Sequence, residues 1–220
     1  MKPPVIQYKN FRFSKLNTRE FSHLKFLFGW IGYFALYFLT ETLIPATRCT
    51  PVHCFADDWI PFCEWFVIPY VLWYGLVAGS LVYFALYQVE SFRNLSTYLL
   101  ITQVIAMVAY ILLPSRQDLR PSVFPRENFL TQAVALLYRI DTSTNVCPSL
   151  HVAFSLGIGS VWRRERIPLF WKNCIILFVI SVCLSTVFIK QHSVLDALAA
   201  VPVCLFAEWF VFYRKKRRRP

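Results

Sequence analysis

The chain has 220 residues, of which 57% are hydrophobic and 16% are charged, and its formal net charge is +11. Its mean hydropathy is +0.48, whereas a soluble domain of this length needs considerably more polar surface. The composition excludes an ordinary soluble enzyme and predicts a single membrane domain that covers residues 1–220.

The N-terminal segment, residues 1–25, is basic and carries six Lys and Arg side chains. It has no short apolar core followed by small residues, so we expect no cleavable signal peptide. The first apolar stretch is then expected to act as its own signal anchor, with the basic segment in the cytoplasm.

Several apolar runs approach the roughly 20 residues that a helix needs to cross the hydrocarbon core. They predict an all-α, integral membrane six-helix bundle over residues 26–213. The fourth span is the shortest, because Arg163 follows His151 after only a dozen residues. The predicted spans are Phe26–Ile44, Phe66–Leu86, Leu95–Leu113, His151–Trp162, Trp171–Ile189 and Ser193–Tyr213.

The loop after the first predicted span, residues 45–65, contains three of the seven cysteines. A disulfide such as Cys49–Cys54 is one interpretation of this cluster. A zinc site that also uses His53 is a second interpretation, but the spacing fits no standard zinc motif. The sequence leaves the state of Cys49, Cys54 and Cys63 open.

An additional helix is predicted between the third and fourth spans, over residues 128–140. Apolar side chains recur there with helical periodicity, and the pattern indicates an amphipathic or re-entrant helix. The side chains concerned are Phe129, Ala133, Leu136, Leu137 and Ile140.

The chain ends in a polybasic segment, residues 214–220, with six Lys and Arg side chains. Such a cluster is also found in nuclear import signals and nucleic-acid-binding segments. Directly after a membrane span, it favours a cytoplasmic anchor that contacts anionic lipids. We therefore expect the lipid bilayer as a partner and no nucleic acid.

The distribution of basic residues predicts the orientation. With six spans and both termini in the cytoplasm, 17 Lys and Arg side chains lie inside and 6 lie outside, in agreement with the positive-inside rule. We therefore expect a multi-pass protein of the plasma (cytoplasmic) membrane. Under this topology Arg120, His151, His192 and Asp196 all lie at the outer ends of spans three, four and six.

His192 and Asp196 are four residues apart, so they share one face of a helix. A carboxylate within the membrane is costly unless it is paired. By accepting a hydrogen bond from one imidazole nitrogen, it fixes the tautomer and leaves the other nitrogen free to attack. The alternative is that the pair only stabilises the start of the helix.

His151 follows Pro148 and Ser149 at a predicted helix start, where Ser149 is a plausible N-cap. Unpaired amides at such a terminus attract an anion, and an imidazolium there could protonate a departing alkoxide. The alternative is an interfacial histidine with no chemical role.

Cations on the same face are candidates for binding phosphate, since Arg holds two phosphate oxygens and Lys acts as a point charge. Arg120 and Lys190 are the first candidates and Arg116 is a weaker one. Each could instead be a solvated loop charge.

Three short motifs resemble the signatures of the type-2 phosphatidic acid phosphatase (lipid phosphate phosphatase) superfamily, in its bacterial-type form. Pro148-Ser149-x-His151 is similar to the second signature, His192-x-x-x-Asp196 to the core of the third, and Arg120-Pro121 to the end of the first. The resemblance covers about residues 113–200 by motif, and the predicted six-helix layout is similar as well.

The resemblance implies roles for the matching residues. His192 would be the nucleophile that forms a phosphohistidine, Asp196 would orient it, and His151 would protonate the leaving group. Arg120 and Ser149 would bind phosphate. The resemblance implies no cofactor and no metal.

Two positions depart from the family pattern. Leu113 stands where the first signature begins with Lys, and Ser185-Thr186 stands where the third signature has Ser-Arg. Lys190 is hypothesised to replace one of these missing cations. The loop around residues 57–62, together with Lys190-Gln191-His192, is similar to a branch related to inositol phosphorylceramide synthases.

The leading functional prediction is a lipid phosphatase that acts on a membrane lipid phosphate or diphosphate at the outer face. A phospho-headgroup transferase with the same nucleophile is the alternative. A transporter that uses His192, Asp196 and Glu41, and an acyl hydrolase based on Ser149, are further alternatives; the latter lacks a Gly-x-Ser-x-Gly motif. The sequence leaves the particular lipid and the oligomeric state open.

Overall fold

The computed structural model describes residue 6, residues 8–18 and residues 20–214. The predicted basic tail beyond residue 214, and Lys2 and Arg19 of the basic N-terminal segment, lie outside the described residues. The described chain is helical. Its main helices are α1 (Phe26–Leu43), α2 (Phe55–Trp59), α3 (Val67–Tyr87), α4 (Val89–Leu112), α5 (Phe129–Ile140), α6 (Leu150–Arg164), α7 (Leu169–Phe188) and α8 (Val194–Glu208), which continues as a π-helical turn, Trp209–Tyr213.

Within the described residues, five helical segments are long and apolar enough to cross a membrane: Ser22–Leu43, Glu64–Tyr87, Val89–Leu112, Leu169–Phe188 and Val194–Tyr213. The prediction of a helical, multi-pass membrane protein is therefore confirmed. The remaining predicted span corresponds to α6, which has 15 residues and is shorter than the roughly 20 residues that a typical span needs.

The third membrane-spanning helix begins six residues earlier in the structure than the sequence predicted. We expected it to start at Leu95, but α4 already begins at Val89. Glu90 lies in the first turn of α4, where the positive end of the helix dipole stabilises a carboxylate. The charge of Glu90, which in the sequence suggests a loop, is thus accommodated within the helix.

The short helix α6 lies at the centre of the bundle, where it packs against α3, α4, α7 and α8. Its middle is buried, and Gly157 allows the close approach of α4. A Cβ atom at Gly157 would lie 2.5 Å from the ring of Tyr98, so a larger residue there would displace either that buried ring or the helices themselves. These contacts with four helices fix the position of α6 along the bundle, and with it the position of His151 in its first turn.

The loops at one end of the bundle are joined to each other. A parallel pair of two-residue strands connects β1 (Thr50–Pro51) to β2 (Ser115–Arg116), and Arg116 also pairs with Thr144. The amide of Ser149 donates to the carbonyl of Asp196 at 3.1 Å. These bonds bring the α1–α3, α4–α5, α5–α6 and α7–α8 connections to the same end.

Helix α5 is present where it was predicted, and only part of its apolar surface is buried in the bundle. It starts with a capping box in which Asn128 and Thr131 exchange hydrogen bonds. Its buried side chains include Val134 and Leu137. Of the apolar residues named in the prediction, Leu137 is buried, whereas Phe129, Leu136 and Ile140 are 79%, 58% and 73% exposed. Apolar residues lie on two sides of α5, and contact with the bundle selects only one of them.

The cysteine cluster contains free thiols, and the Cys49–Cys54 disulfide is not formed. The Cys49 thiol donates to the carbonyl of Pro45 at 3.7 Å, whereas Cys54 occupies the N-cap of α2. His53 bonds to Asp58 at 2.8 Å. Among the described residues, no group of three His, Cys, Asp or Glu side chains has metal-binding geometry.

Candidate active site

His192 lies two residues before α8 and is paired with the first turn of that helix. Its Nδ1 atom is 3.2 Å from Oδ2 of Asp196, which also accepts the amide of Ser193 at 2.9 Å. His192 is 7% exposed and Asp196 is fully buried. Because the carboxylate occupies Nδ1, the Nε2 atom of His192 is left for a ligand.

His151 is the second residue of α6, and its ring lies between aromatic side chains. It stacks on Tyr70 with ring centroids 4.4 Å apart, and it lies 4.1 Å from the ring of Trp73. Its Nε2 atom is buried without a hydrogen-bond partner. The two rings hold the imidazole in one position, and its unpaired nitrogen is a candidate for exchanging a proton with a ligand.

The structure brings the two imidazoles together. The ring centroids of His151 and His192 are 5.7 Å apart, although His151 belongs to α6, His192 precedes α8, and all of α7 lies between them in the chain. Both rings line the same cavity. At this separation, one tetrahedral anion can contact both rings.

The cavity has a volume of about 530 Å³ and extends from the two histidines into the bundle between α1 and α3. Its apolar walls are formed by residues at helical spacing. Over the ten residues from Leu27 to Tyr37, a helix rises about 15 Å, which is enough to accommodate much of a lipid chain. The wall residues include Leu27, Trp30, Phe34 and Tyr37 from α1 and Trp73, Val77, Ala78 and Leu81 from α3.

Arg120 does not line this cavity, contrary to the expectation of a direct phosphate contact. Its Nε atom donates to Oε1 of Gln191 at 2.9 Å. Its two terminal nitrogens donate to the carbonyls of Tyr138, Asp141 and Thr142 at 2.7–2.9 Å. Burial lowers the pKa of Arg120, with the charge of Asp141 acting in the opposite direction. The guanidinium caps the end of α5.

Lys190 is also engaged by the protein and does not line the cavity. Its Nζ atom donates to the carbonyls of Asp57 and Ile60 at 2.7 Å and 2.5 Å, so it closes the end of α2. Burial lowers the pKa of Lys190, and the nearby carboxylates of Asp57 and Asp58 partly counteract this effect. The hypothesis that Lys190 replaces a missing phosphate-binding cation is not supported by its position.

Arg116 and Ser149 have structural contacts as well. Arg116 pairs with Asp118 at 3.0 Å and donates to the carbonyls of Ala46 and Cys49. Ser149 is fully buried, and its hydroxyl accepts the amide of Val152 as the N-cap of α6. Neither residue is among those that line the cavity.

Asp57 is a site residue that the sequence analysis did not identify. It is 3% exposed, and its carboxylate accepts from the amide of Cys54 at 2.8 Å, the hydroxyl of Ser193 at 2.6 Å and the amide of Val194 at 2.8 Å. Asp57 therefore caps both α2 and α8 and holds the residues next to His192. The position of Asp57 in the first turn of α2 could have indicated the local cap, but not the contact with α8.

Replacing Asp57 with alanine is expected to lower the melting temperature in detergent by about 5–10 °C, because three bonds to a buried charge are lost. Burial opposes ionisation, but these hydrogen bonds prevail and lower the pKa of Asp57 below its usual 3.8. Its stabilising effect is therefore complete above pH 3.8 and is lost as the pH falls through the lower folded-state value. Melting curves at pH 5 and pH 7 should show the same difference from wild type.

The matched control is Asp58→Ala, which removes the neighbouring carboxylate. The side chain of Asp58 is 65% exposed and contacts His53, so its loss is expected to cost less than about 0.5 kcal/mol. Equal destabilisation by the two variants would contradict the capping role of Asp57.

A second unpredicted group connects Arg120 to the histidines. Oδ2 of Asp141 accepts from the Tyr70 hydroxyl at 2.6 Å and from Nε2 of Gln191 at 2.8 Å, while Gln191 also accepts from Arg120. Tyr70 in turn stacks on His151. Arg120 is thus connected to His151 through Gln191, Asp141 and Tyr70, and not by direct contact.

Glu41, considered in the transporter hypothesis, does not line the cavity. Its carboxylate accepts from the Thr144 hydroxyl at 2.8 Å and from the Asn145 amide nitrogen at 2.6 Å. These bonds connect the end of α1 to the loop before α6. The two bonds give the Glu41 carboxylate a structural role near the end of α1.

Comparisons of the chain with protein-family models, with curated proteins and with solved structures each find no match. The class is defined by the fold and the site themselves: a multi-pass helical membrane protein with two imidazoles at the head of an apolar cavity. A more specific assignment depends on the chemistry of that cavity.

Proposed function

We propose that this protein is a membrane lipid phosphatase that works through a phosphohistidine at His192. The observation that carries the proposal is the pair of imidazoles, 5.7 Å apart, at the polar head of a cavity with apolar walls. Asp196 holds one nitrogen of His192 at 3.2 Å, which is the arrangement that a histidine nucleophile needs. The motif resemblance to the type-2 phosphatidic acid phosphatases agrees with this assignment.

In the first step, Nε2 of His192 attacks the phosphorus of the lipid phosphate. The new P–N bond forms as the P–O bond to the lipid breaks, and the departing oxygen takes a proton from His151. Asp196 stabilises the positive charge that develops on His192.

In the second step, water attacks the phosphohistidine and returns a proton to His151. The P–N bond breaks, its electron pair returns to His192, and inorganic phosphate leaves. The products are the lipid alcohol and phosphate, and both histidines regain their starting protonation states.

The proposed membrane arrangement has six spans, with α6 as a short one and α5 lying along the outer interface. Polar contacts at the opposite ends of α6 and α8 mark the inner boundary in this proposal. There the hydroxyl of Ser160 donates to Glu208 at 2.5 Å, and Arg164 forms an ion pair with Glu208. The histidines would then face the outer leaflet, with both termini in the cytoplasm.

Transfer of the phospho-headgroup to a lipid alcohol is the second candidate. Neutral hydrogen-bonding side chains, Thr142 and Thr144, line the cavity near the histidines, and they suit an alcohol acceptor as well as water. The acyl hydrolase is disfavoured because the proposed nucleophile, Ser149, is fully buried and caps α6.

The test uses purified full-length protein in detergent micelles with a lipid phosphate labelled at phosphorus. We expect free labelled phosphate as the product, and a rapidly quenched sample should contain an acid-labile phosphoprotein mapped to His192. Addition of a lipid alcohol distinguishes the second candidate, which predicts a labelled phosphodiester. Phosphate release with label found on serine would contradict the histidine mechanism.

A further inference from the structure

Within the part of the chain that the structure describes, the cavity that contains the histidines is lined by an acidic residue and by no Lys or Arg, which is unexpected for a site that binds phosphate. Its polar end is lined by Asp141, Thr142, Thr144, Asn145, Gln191 and the two histidines. Among the described lining residues, Asp141 is the one side chain with a fixed charge, and none is Lys or Arg. A site for a multiply charged phosphate usually supplies cations.

The cations near this end are already bound by the protein. Arg120 donates to Gln191 and to three carbonyls, Lys190 donates to two carbonyls, and Arg116 is paired with Asp118. Leu113 and Thr186 occupy the positions at which the related signatures have Lys and Arg. The two imidazoles are therefore the basic side chains left in the cavity that could contact a phosphate.

The carboxylate of Asp141 is only partly used by the protein. Both of its hydrogen bonds, from Tyr70 and Gln191, go to Oδ2, and no donor among the described residues contacts Oδ1. Asp141 is also the C-cap of α5, where the negative end of the helix dipole disfavours a carboxylate. The Arg120 guanidinium already offsets the helix dipole at this end of α5, so the unbonded Oδ1 atom is the feature that a cation in the cavity would satisfy.

Aromatic rings line the cavity beside this carboxylate. Tyr33 and Tyr37 of α1 and Tyr74 of α3 all belong to its wall, and the rings of Tyr33 and Tyr37 lie 5.9 Å apart. Tyrosine faces attract ammonium groups, and this attraction is strongest where water is excluded. The polar end thus combines an anion and aromatic faces for a cation with two imidazoles for a phosphate.

We propose that the substrate is zwitterionic: a lipid phosphate ester with an ammonium group close to the phosphorus. The phosphate would lie between His151 and His192, and the ammonium would contact Oδ1 of Asp141 and the tyrosine rings. This inference rests on the proposed function of the same site. The substrate would supply the positive charge that the family-type cations do not provide here.

The first arm of the test compares two substrates that differ only in charge on nitrogen. One is a long-chain amino alcohol phosphate and the other is its N-acetyl derivative. We expect the free amine to have a kcat/KM at least about tenfold higher, as one charge-assisted hydrogen bond allows. Equal or faster cleavage of the N-acetyl compound by wild-type protein would overturn the inference.

A second arm identifies where the ammonium is attached. Diesters with a phosphoethanolamine or phosphocholine headgroup are compared with the corresponding lipid phosphate that lacks an amine. Preference for the amino alcohol phosphate places the ammonium on the lipid side of the phosphorus, and preference for the diesters places it on the headgroup side. Preference for neither over the amine-free lipid phosphate would count against the inference.

Asp141→Asn is the variant that addresses the carboxylate. Asparagine keeps an oxygen that accepts from Tyr70 and Gln191 and removes only the charge, so we expect the ratio of the two kcat/KM values to fall to within about threefold. Asp118→Asn is the matched control, since Asp118 pairs with Arg116 outside the cavity, and it should keep the wild-type ratio. A full preference in Asp141→Asn would overturn the role of Asp141.

The outcomes separate this inference from the proposed function. Histidine-dependent phosphate release without amine preference removes the zwitterionic substrate and leaves the phosphatase. Failure to cleave any of these lipids, with no phosphohistidine formed, counts against both.

Discussion

Replacing His192 with alanine is expected to lower the turnover of a lipid phosphate by about 10³-fold or more, because the variant cannot form the covalent intermediate. The prediction follows from the bond between Nδ1 and Asp196, which leaves Nε2 directed at the cavity as the attacking atom. Labelled phosphate released per mole of protein in detergent micelles is the measurement, together with the loss of trapped phosphoprotein.

The control for this experiment is His53→Ala. His53 lies in the connection between α1 and α2, its side chain is 48% exposed, and it contacts Asp58 rather than the cavity. We expect this variant to retain wild-type turnover. If His192→Ala released phosphate at the rate of His53→Ala while both gave the same melting temperature, His192 would not be the nucleophile.

The sequence predicted the meeting of the two histidines because hydropathy and charge determine topology. Once the spans and their orientation are assigned, the starts of α6 and α8 must lie at the same end of the bundle. The i,i+4 spacing then places Asp196 against His192. These features depend on helical periodicity and on the positions of the membrane spans, and the amino-acid sequence predicts both.

The roles of the cations could not be predicted in the same way. The sequence places Arg120 and Lys190 near the site, but it does not show which hydrogen-bond acceptors they bind in the folded protein. Their partners are backbone carbonyls of distant segments, such as Ile60 for Lys190. A cation in a loop binds the nearest unsatisfied carbonyl, and that choice depends on the path of the loops.

Asp57 and Asp141 were missed for the same reason. The bond from Ser193 to Asp57 joins residues 136 positions apart, and the bond from Tyr70 to Asp141 joins residues 71 apart. Each carboxylate resembles an ordinary loop charge in the sequence. The importance of Asp57 arises from its burial, which makes an unpaired carboxylate costly. Asp141 is only partly buried, and its importance arises from its bonds to Tyr70 and Gln191.

Replacing His151 with asparagine is expected to lower phosphate release from an alkyl lipid phosphate by about 10²–10⁴-fold, the usual contribution of a general acid. The reason is that an alkoxide is a poor leaving group unless it is protonated. His151 is suited to this role because its ring lies 5.7 Å from that of His192 and is held between Tyr70 and Trp73.

The decisive comparison for His151 uses a nitrophenyl phosphate ester, whose leaving oxygen departs as a stable anion without a proton. We expect His151→Asn to lose much less activity on this substrate and still to form the phosphohistidine in a rapid-quench experiment. A structural role for His151 would reduce both reactions equally, since a displaced His192 attacks neither substrate. An equal loss on the alkyl and nitrophenyl substrates would therefore assign His151 to packing, and a selective loss on the alkyl substrate would assign it to proton transfer.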